Sequence, residues 1–207
     1  MTDQTTLRAT INDGRTAVLY ADGTWRLVED SDSGTLEPTE AGFRKSSWGM
    51  SMSDVERVEA RDEMVRGEGF LFHEARIADM PCEIYFIFAR HQLIRGRVRF
   101  TVEHSNATDF IYDFDRIKDL MSKKYGSALK DEEIWKDDLY QDDPSEWGMA
   151  IGNGGLVKFA TWAADDTDIT LLLSGDNYEI FFAIDYVSKR FGHLENQQKE
   201  EQALDEL

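Results

Sequence analysis

An acidic segment rich in aromatic residues is where residue types and spacing point most directly to a function. Between residues 131 and 146, carboxylates alternate with aromatic side chains. Carboxylates steer a basic partner, and aromatic rings surrounded by charge are typical anchors of protein contacts. The alternative is a solvated loop whose charges serve only solubility. The candidate binding residues of this segment are Trp135, Asp137, Asp138, Tyr140, Asp142, Asp143 and Trp147.

A second candidate is the one basic cluster of the chain. Arg95, Arg97 and Arg99 occupy every second position of a run with the alternation of a β-strand, so their side chains share one face. Opposite carboxylates on a neighbouring strand, they would form a cross-strand charge ladder. Without such partners, they would bind an anionic ligand or a carboxylate-bearing peptide.

Metal and nucleophile chemistry have weaker signals. Asp165, Asp166 and Asp168 could gather oxygens around a divalent cation, and a metal-dependent hydrolase is therefore one alternative function. The same aspartates fall in a predicted hairpin turn, where aspartate is common for backbone reasons. The 4 histidines form no metal-spaced pair, and the single cysteine, Cys82, is predicted to be a buried thiol. We predict no metal and no cofactor, and a binding protein rather than an enzyme.

Overall charge narrows the range of partners. The net charge is -18, from 41 acidic and 23 basic residues. Such a field repels nucleic acid and anionic membranes. It favours solubility, and it is compatible with a basic protein partner. Neither a signal peptide nor an apolar run of membrane-spanning length is evident, which predicts a cytoplasmic protein, or a periplasmic one if a leader was removed.

The elements that position these residues fall into four predicted parts. Two Asp-Gly turn dipeptides, at residues 13–14 and 22–23, separate short apolar runs and predict a β-meander. A polar stretch follows, and then the main domain and a polar, helix-prone end. The predicted parts are a β-hairpin module (1–29), a linker (30–42), an α+β domain (43–188) and a polar helical tail (189–207).

The main domain is predicted to be α+β, with helices packed on one face of an antiparallel sheet. Ser53 and Glu56 have capping-box spacing, which predicts a short helix. Residues 108–125 carry an apolar stripe at helical spacing. Residues 127–146 are predicted to be irregular, and the order helix, three strands, helix, three strands indicates a pseudo-repeat. The predicted strands are 69–77, 82–89, 94–103, 156–162, 169–173 and 178–186.

Several of these residues resemble a known group. Phe43, then Ser-Trp-Gly-Met-Ser at residues 47–51 and a helix starting at Asp54-Val55, is similar to the opening of the SmpA/OmlA and beta-lactamase-inhibitor-like small bacterial α+β proteins. The stretch from Leu120 to Gly126 and the strand with Trp162 resemble the same group. The resemblance implies an antiparallel sheet with helices on one face and an exposed face that binds protein. Members are usually exported, whereas no leader is evident here.

Three functions follow from these observations. The first is a non-catalytic protein-binding or inhibitor- and immunity-like protein, which fits the acidity and the aromatic-acidic segment. The second is the metal-dependent hydrolase that would use the acidic turn. The third is a self-assembling structural module that would use residues 189–207.

Overall fold

The chain divides into two units, residues 1–39 and 40–207. The computed structural model describes residues 7–10, 16–19, 25–28, 42–61 and 63–205. The first unit contains a three-stranded antiparallel sheet in the order β1-β2-β3. The predicted Asp-Gly turns, and all of the predicted linker except Gly42, lie outside the described residues. The strands are β1 (Leu7–Thr10), β2 (Thr16–Leu19) and β3 (Trp25–Val28).

The second unit is built on one eight-stranded antiparallel sheet, which confirms the predicted α+β class. Its strand order is β10-β11-β12-β13-β9-β8-β7-β6, so two sequential meanders meet where β13 pairs with β9. A two-stranded hairpin, β4 with β5, precedes it. The strands are β4 (Gly42–Phe43), β5 (Ser46–Ser47), β6 (Val65–Gly67), β7 (Phe70–Ile77), β8 (Met80–Ala89), β9 (Gln92–Phe100), β10 (Lys130–Trp135), β11 (Leu156–Ala163), β12 (Thr167–Asp176) and β13 (Glu179–Ser188).

The predicted helix-plus-three-strand halves are present, and each carries one further strand at a sheet edge. The larger addition is β10, in a stretch predicted to be irregular; that prediction was wrong for residues 130–135. Asp131, Glu132 and Glu133 lack the apolar alternation of a half-buried strand. An edge strand does not need this alternation, because its backbone pairs on one side only and charged side chains there discourage aggregation.

A long helix covers one face of the sheet. The predicted helix at residues 108–125 is confirmed as α2, and its buried side chains Phe110, Phe114, Ile117 and Met121 face the core. Burial of each side chain contributes about 1.5–3 kcal/mol. No helix among the described residues is long and apolar enough to cross a membrane. The helices are α1 (Met52–Glu59), α2 (Asp109–Tyr125), α3 (Trp147–Gly152) and α4 (His193–Asp205).

The start of α1 differs from the capping box predicted from the sequence. Ser51, not Ser53, is the N-cap: its hydroxyl oxygen accepts a hydrogen bond from the Asp54 backbone N–H at 3.2 Å. Ser51 and Ser53 each precede an acidic residue by three positions, and the helix begins directly after Ser51, so it includes Met52. Met52 packs against the core, which explains why the helix begins at the earlier serine.

The polar end of the chain forms α4, which lies on the sheet face opposite α2. Val98 of β9 points toward the core together with its cross-strand neighbour Ile84. Arg95 alternates to the other face and forms an ion pair with Glu195 of α4 at 2.6 Å. Gln198 accepts a hydrogen bond from the backbone N–H at residue 90 at 2.9 Å. The tail is therefore helical and docked on its own domain.

Candidate functional site

The two tryptophans of the acidic segment form its base. Trp135 ends β10 and Trp147 begins α3, and their rings meet edge to face with centroids 5.5 Å apart. The Trp147 indole N–H donates to the carbonyl oxygen of Gln141 at 3.1 Å. Tyr140 also packs against the core. These three aromatic residues are half-buried, so they hold the segment in place.

A buried lysine ties this base to the sheet. Lys158 of β11 lies directly opposite Glu133 of β10, and the ammonium is 2.5 Å from the carboxylate. The Lys158 side chain is only 6% exposed. Its Nζ also lies 5.7 Å from the Trp147 ring and 5.6 Å from the Phe114 ring. Strands β10 and β11 and helices α2 and α3 therefore all contact the Lys158 ammonium.

The four aspartates of the segment play different roles. The carboxylate of Asp137 accepts from the Leu139 backbone N–H at 3.2 Å. Asp143 caps a short 3-10 helix (Pro144–Glu146), and hydrogen bonds from the Ser145 hydroxyl and backbone lower the pKa of Asp143 below its ordinary value. Asp138 and Asp142 are exposed. Within the described chain, none of the four forms an ion pair, so their negative charge faces solvent uncompensated.

Exposed apolar side chains beside these carboxylates were not predicted from the sequence. Leu139 is 71% exposed, Tyr178 67% and Met149 40%. Tyr178 lies in the β12–β13 turn with φ 66°, its backbone N–H donates to the Gly152 carbonyl at 2.9 Å, and its ring contacts that glycine. A bulky residue at positive φ is uncommon. The sequence predicted that Tyr178 begins a strand. In the structure β13 begins one residue later, so the exposure of Tyr178 in the turn was not predicted.

Each arginine of the predicted cluster has a carboxylate partner. Arg97 donates twice to its cross-strand neighbour Asp185, at 2.7 and 2.9 Å, and this hydrogen bonding raises the Arg97 pKa above its ordinary value despite partial burial. Arg99 lies 3.8 Å from Glu83 on β8, and Arg95 is paired with α4. This is the charge-ladder alternative, and its charges are neutralised. No ion pair or hydrogen bond among the described residues joins these arginines to the acidic segment.

The acidic turn proposed for metal binding already contains an ammonium. Lys189 Nζ donates to the Ala164 carbonyl at 2.7 Å and lies 3.9 Å from Asp168. Asp166 accepts from the Thr167 hydroxyl at 2.9 Å. No group of three or more His, Cys, Asp or Glu side chains that could hold a metal ion occurs in the described part of the chain. The turn therefore gives the hydrolase alternative no support.

One acid–base pair lies elsewhere on the domain. His104 Nε2 is 2.6 Å from the Asp113 carboxylate of α2, and the imidazole meets the Phe110 ring edge to face at 4.7 Å. Within the described residues, no hydroxyl or thiol hydrogen bonds to this imidazole. The pair fastens the loop before α2 to the helix.

No protein-family model, curated protein or solved structure matches this chain. The resemblance to the SmpA/OmlA and beta-lactamase-inhibitor-like proteins stays a prediction. Fold and site together define an acidic α+β protein with one eight-stranded antiparallel sheet. Uncompensated carboxylates and exposed apolar side chains both lie at one end of that sheet.

Proposed function

We propose that this chain is a non-catalytic protein-binding protein that recognises a basic partner through an acidic end surface. This surface comprises residues 136–146 together with Met149 and Tyr178. One observation carries the proposal: within residues 136–146, five carboxylates oppose a single lysine, and no ion pair with described residues compensates them. An inhibitor or immunity protein that blocks a basic partner is the concrete form of this function.

Charge and apolar area have separate tasks at this surface. The carboxylates accelerate encounter with a positively charged partner, an effect that salt screens over about 8–10 Å. Leu139 and Tyr178 supply the apolar contact that holds the complex once it forms. The half-buried base of Trp135 and Trp147 keeps the surface in one conformation, so little ordering entropy opposes binding.

Site-specific photo-crosslinking in the native cell tests this proposal. A photoreactive amino acid at Leu139 is expected to capture one basic protein, and adding salt to the extract before irradiation should reduce the yield. The same amino acid at Tyr112, which is 69% exposed on α2, is the matched control and should not capture that protein. Capture of the same set of proteins at both positions would contradict the proposal.

Charge variants separate a specific surface from overall acidity. Asp138→Asn with Asp142→Asn removes two exposed carboxylates from the acidic end surface and is expected to lower the yield at Leu139 about tenfold. Glu200→Gln with Asp205→Asn makes the same charge change on α4. Equal losses in both double variants would show that only net charge matters, and the surface would lose its assigned role.

A further inference from the structure

Helix α4 lies on the sheet face opposite α2 but complements that face poorly. No side chain of α4 between residues 193 and 205 is buried. A helix of 13 residues is marginal in water unless tertiary packing of an apolar face stabilises it. Polar contacts, rather than a hydrophobic interface, therefore hold α4 on its domain.

Two arginines at the sheet supply these polar contacts. Arg95 forms its ion pair with Glu195. Arg90 and Glu201 form another, in which the side chains are 44% and 61% exposed and water weakens the attraction. Arg95 Nε is buried and has no hydrogen-bond acceptor among the described residues, so α4 satisfies this guanidinium only in part. The two arginines define where a helix on this face must place its carboxylates.

The sheet face beneath α4 is apolar. The rings of Phe70, Phe72 and Tyr85 form one cluster, with centroids 5.2, 5.8 and 6.3 Å apart. Ile87 is the cross-strand neighbour of Phe70 and lies on the same face. All four side chains are half-buried, although α4 lies over this part of the sheet. Further burial of this apolar area would be favourable.

An open cleft separates the apolar side chains from α4. The cleft measures about 290 Å³, and its lining includes three apolar side chains of the sheet and two amides of the helix: Phe70, Tyr85, Ile87, Gln198 and Gln202. The two glutamines are four residues apart, so they project from the same side of α4. Polar amides therefore occupy the positions from which apolar side chains would fill the cleft.

We propose that this face is a docking surface for an acidic amphipathic helix of a partner protein, and that α4 covers it until that helix displaces α4. Arg90 and Arg95 select carboxylates six residues apart, as at positions 195 and 201. The aromatic cluster selects apolar side chains at the two positions where α4 carries glutamine. A helix that meets both conditions fills the cleft, and this difference in fit drives the displacement. The surface shares no residue with the acidic end surface, so the two proposals are independent.

Calorimetric titration of the full chain with synthetic peptides tests this proposal. The parent peptide has the sequence of residues 193–205, and the test peptide carries Gln198→Leu with Gln202→Leu. The test peptide is expected to bind saturably and at least about tenfold more tightly than the parent, because two leucines are removed from water. Amide exchange in α4 of the full chain should accelerate on binding, since the peptide displaces α4.

A matched peptide separates recognition of the cleft from general hydrophobicity. Asn196→Leu with Gln197→Leu adds the same two leucines at exposed positions that do not line the cleft. This matched peptide should bind no more tightly than the parent. Adding Glu195→Gln with Glu201→Gln to the test peptide should weaken its binding about three- to tenfold, because both arginines then lack a carboxylate partner.

The same leucine pairs placed in the full chain complete the test. Gln198→Leu with Gln202→Leu makes α4 the better occupant, so amide exchange in α4 should slow and the test peptide should bind at least about tenfold more weakly. Asn196→Leu with Gln197→Leu in the full chain should change neither result.

Three outcomes would overturn the proposal. The first is no saturable binding of the test peptide to the wild-type chain, and the second is equal affinity of the test peptide and the parent or matched peptide. The third is equal binding of the test peptide to the wild-type chain and to the chain with Gln198→Leu and Gln202→Leu, because the peptide would then dock elsewhere.

Discussion

Glu133→Gln tests whether the buried lysine holds the base of the acidic end surface. The substitution keeps the shape of the side chain but removes the only carboxylate paired with Lys158 among the described residues. The Lys158 ammonium would then remain buried beside two aromatic rings, without an opposite charge. Loss of one partner from a fully buried ion pair costs about 3–5 kcal/mol.

The expected cost here is smaller, because the two partners differ in exposure. The Lys158 side chain is 6% exposed, whereas that of Glu133 is 36% exposed. Water already screens the carboxylate, and exposed pairs contribute at most about 1 kcal/mol. The aromatic rings continue to stabilise the ammonium. We therefore expect a loss of about 1–2 kcal/mol, which lies between the two limits.

Urea denaturation followed by tryptophan fluorescence measures this loss, because Trp135 and Trp147 report on the same region. Thermal denaturation should show a decrease of about 2–8 °C for a domain of this size. Glu132→Gln is the matched control: Glu132 neighbours Glu133, alternates to the other face of β10 and should change stability by less than about 0.5 kcal/mol.

A double variant identifies the physical origin of the effect. Glu133→Gln with Lys158→Met replaces the unpaired ammonium with an apolar side chain of similar length, and should recover most of the lost stability. Equal destabilisation by Glu133→Gln and Glu132→Gln would refute the role of the pair. A double variant less stable than Glu133→Gln would show that the ammonium itself, through the aromatic rings, supplies the stability.

Three further outcomes are expected. Gly96→Ala would place a methyl group in the space of the Phe43 ring and should cost about 1–3 kcal/mol in thermal denaturation. Burial raises the pKa of Glu195, but the hydrogen bond from Lys199 and nearby arginine charges outweigh it, so the pKa lies below its ordinary value of 4.5. The stability that Glu195 gives is thus present above that value and lost as pH falls through the folded-state pKa; amide exchange in α4 should accelerate there, and Glu195→Gln should accelerate it at neutral pH. Tyr178→Gly should raise stability by about 1 kcal/mol while lowering crosslinking at the acidic end surface.

Much of the fold could be predicted because its elements bury apolar side chains periodically. The stripe along α2 predicted that helix within one residue, and the alternation around Val98 predicted the strand that became β9. β10 was not predicted because an edge strand can carry charged side chains on both faces and then lacks the apolar alternation of a half-buried strand. The exact N-cap of α1 depended on Met52 reaching the core, which is a tertiary contact.

The residue types of the candidate site could be predicted from the sequence, but the exposure of their side chains could not. The sequence identified the acidic segment, yet it offered Trp135 and Trp147 as anchors, and the structure half-buries both. Residue type favours tryptophan as an anchor, whereas exposure depends on which partners the fold supplies. Tyr178 joins the surface only because the β12–β13 turn meets α3, a contact between segments about 25 residues apart.

Charge is segregated in this domain, and the segregation leaves the acidic end surface without compensating cations. The arginines of β9 form ion pairs with Asp185, Glu83 and Glu195 of α4. The carboxylates of the acidic end surface form no ion pair within the described part of the chain, although β9 carries three arginines. A basic partner would therefore meet unpaired negative charge at this surface, whereas at the sheet face of β9 it would have to displace existing ion pairs.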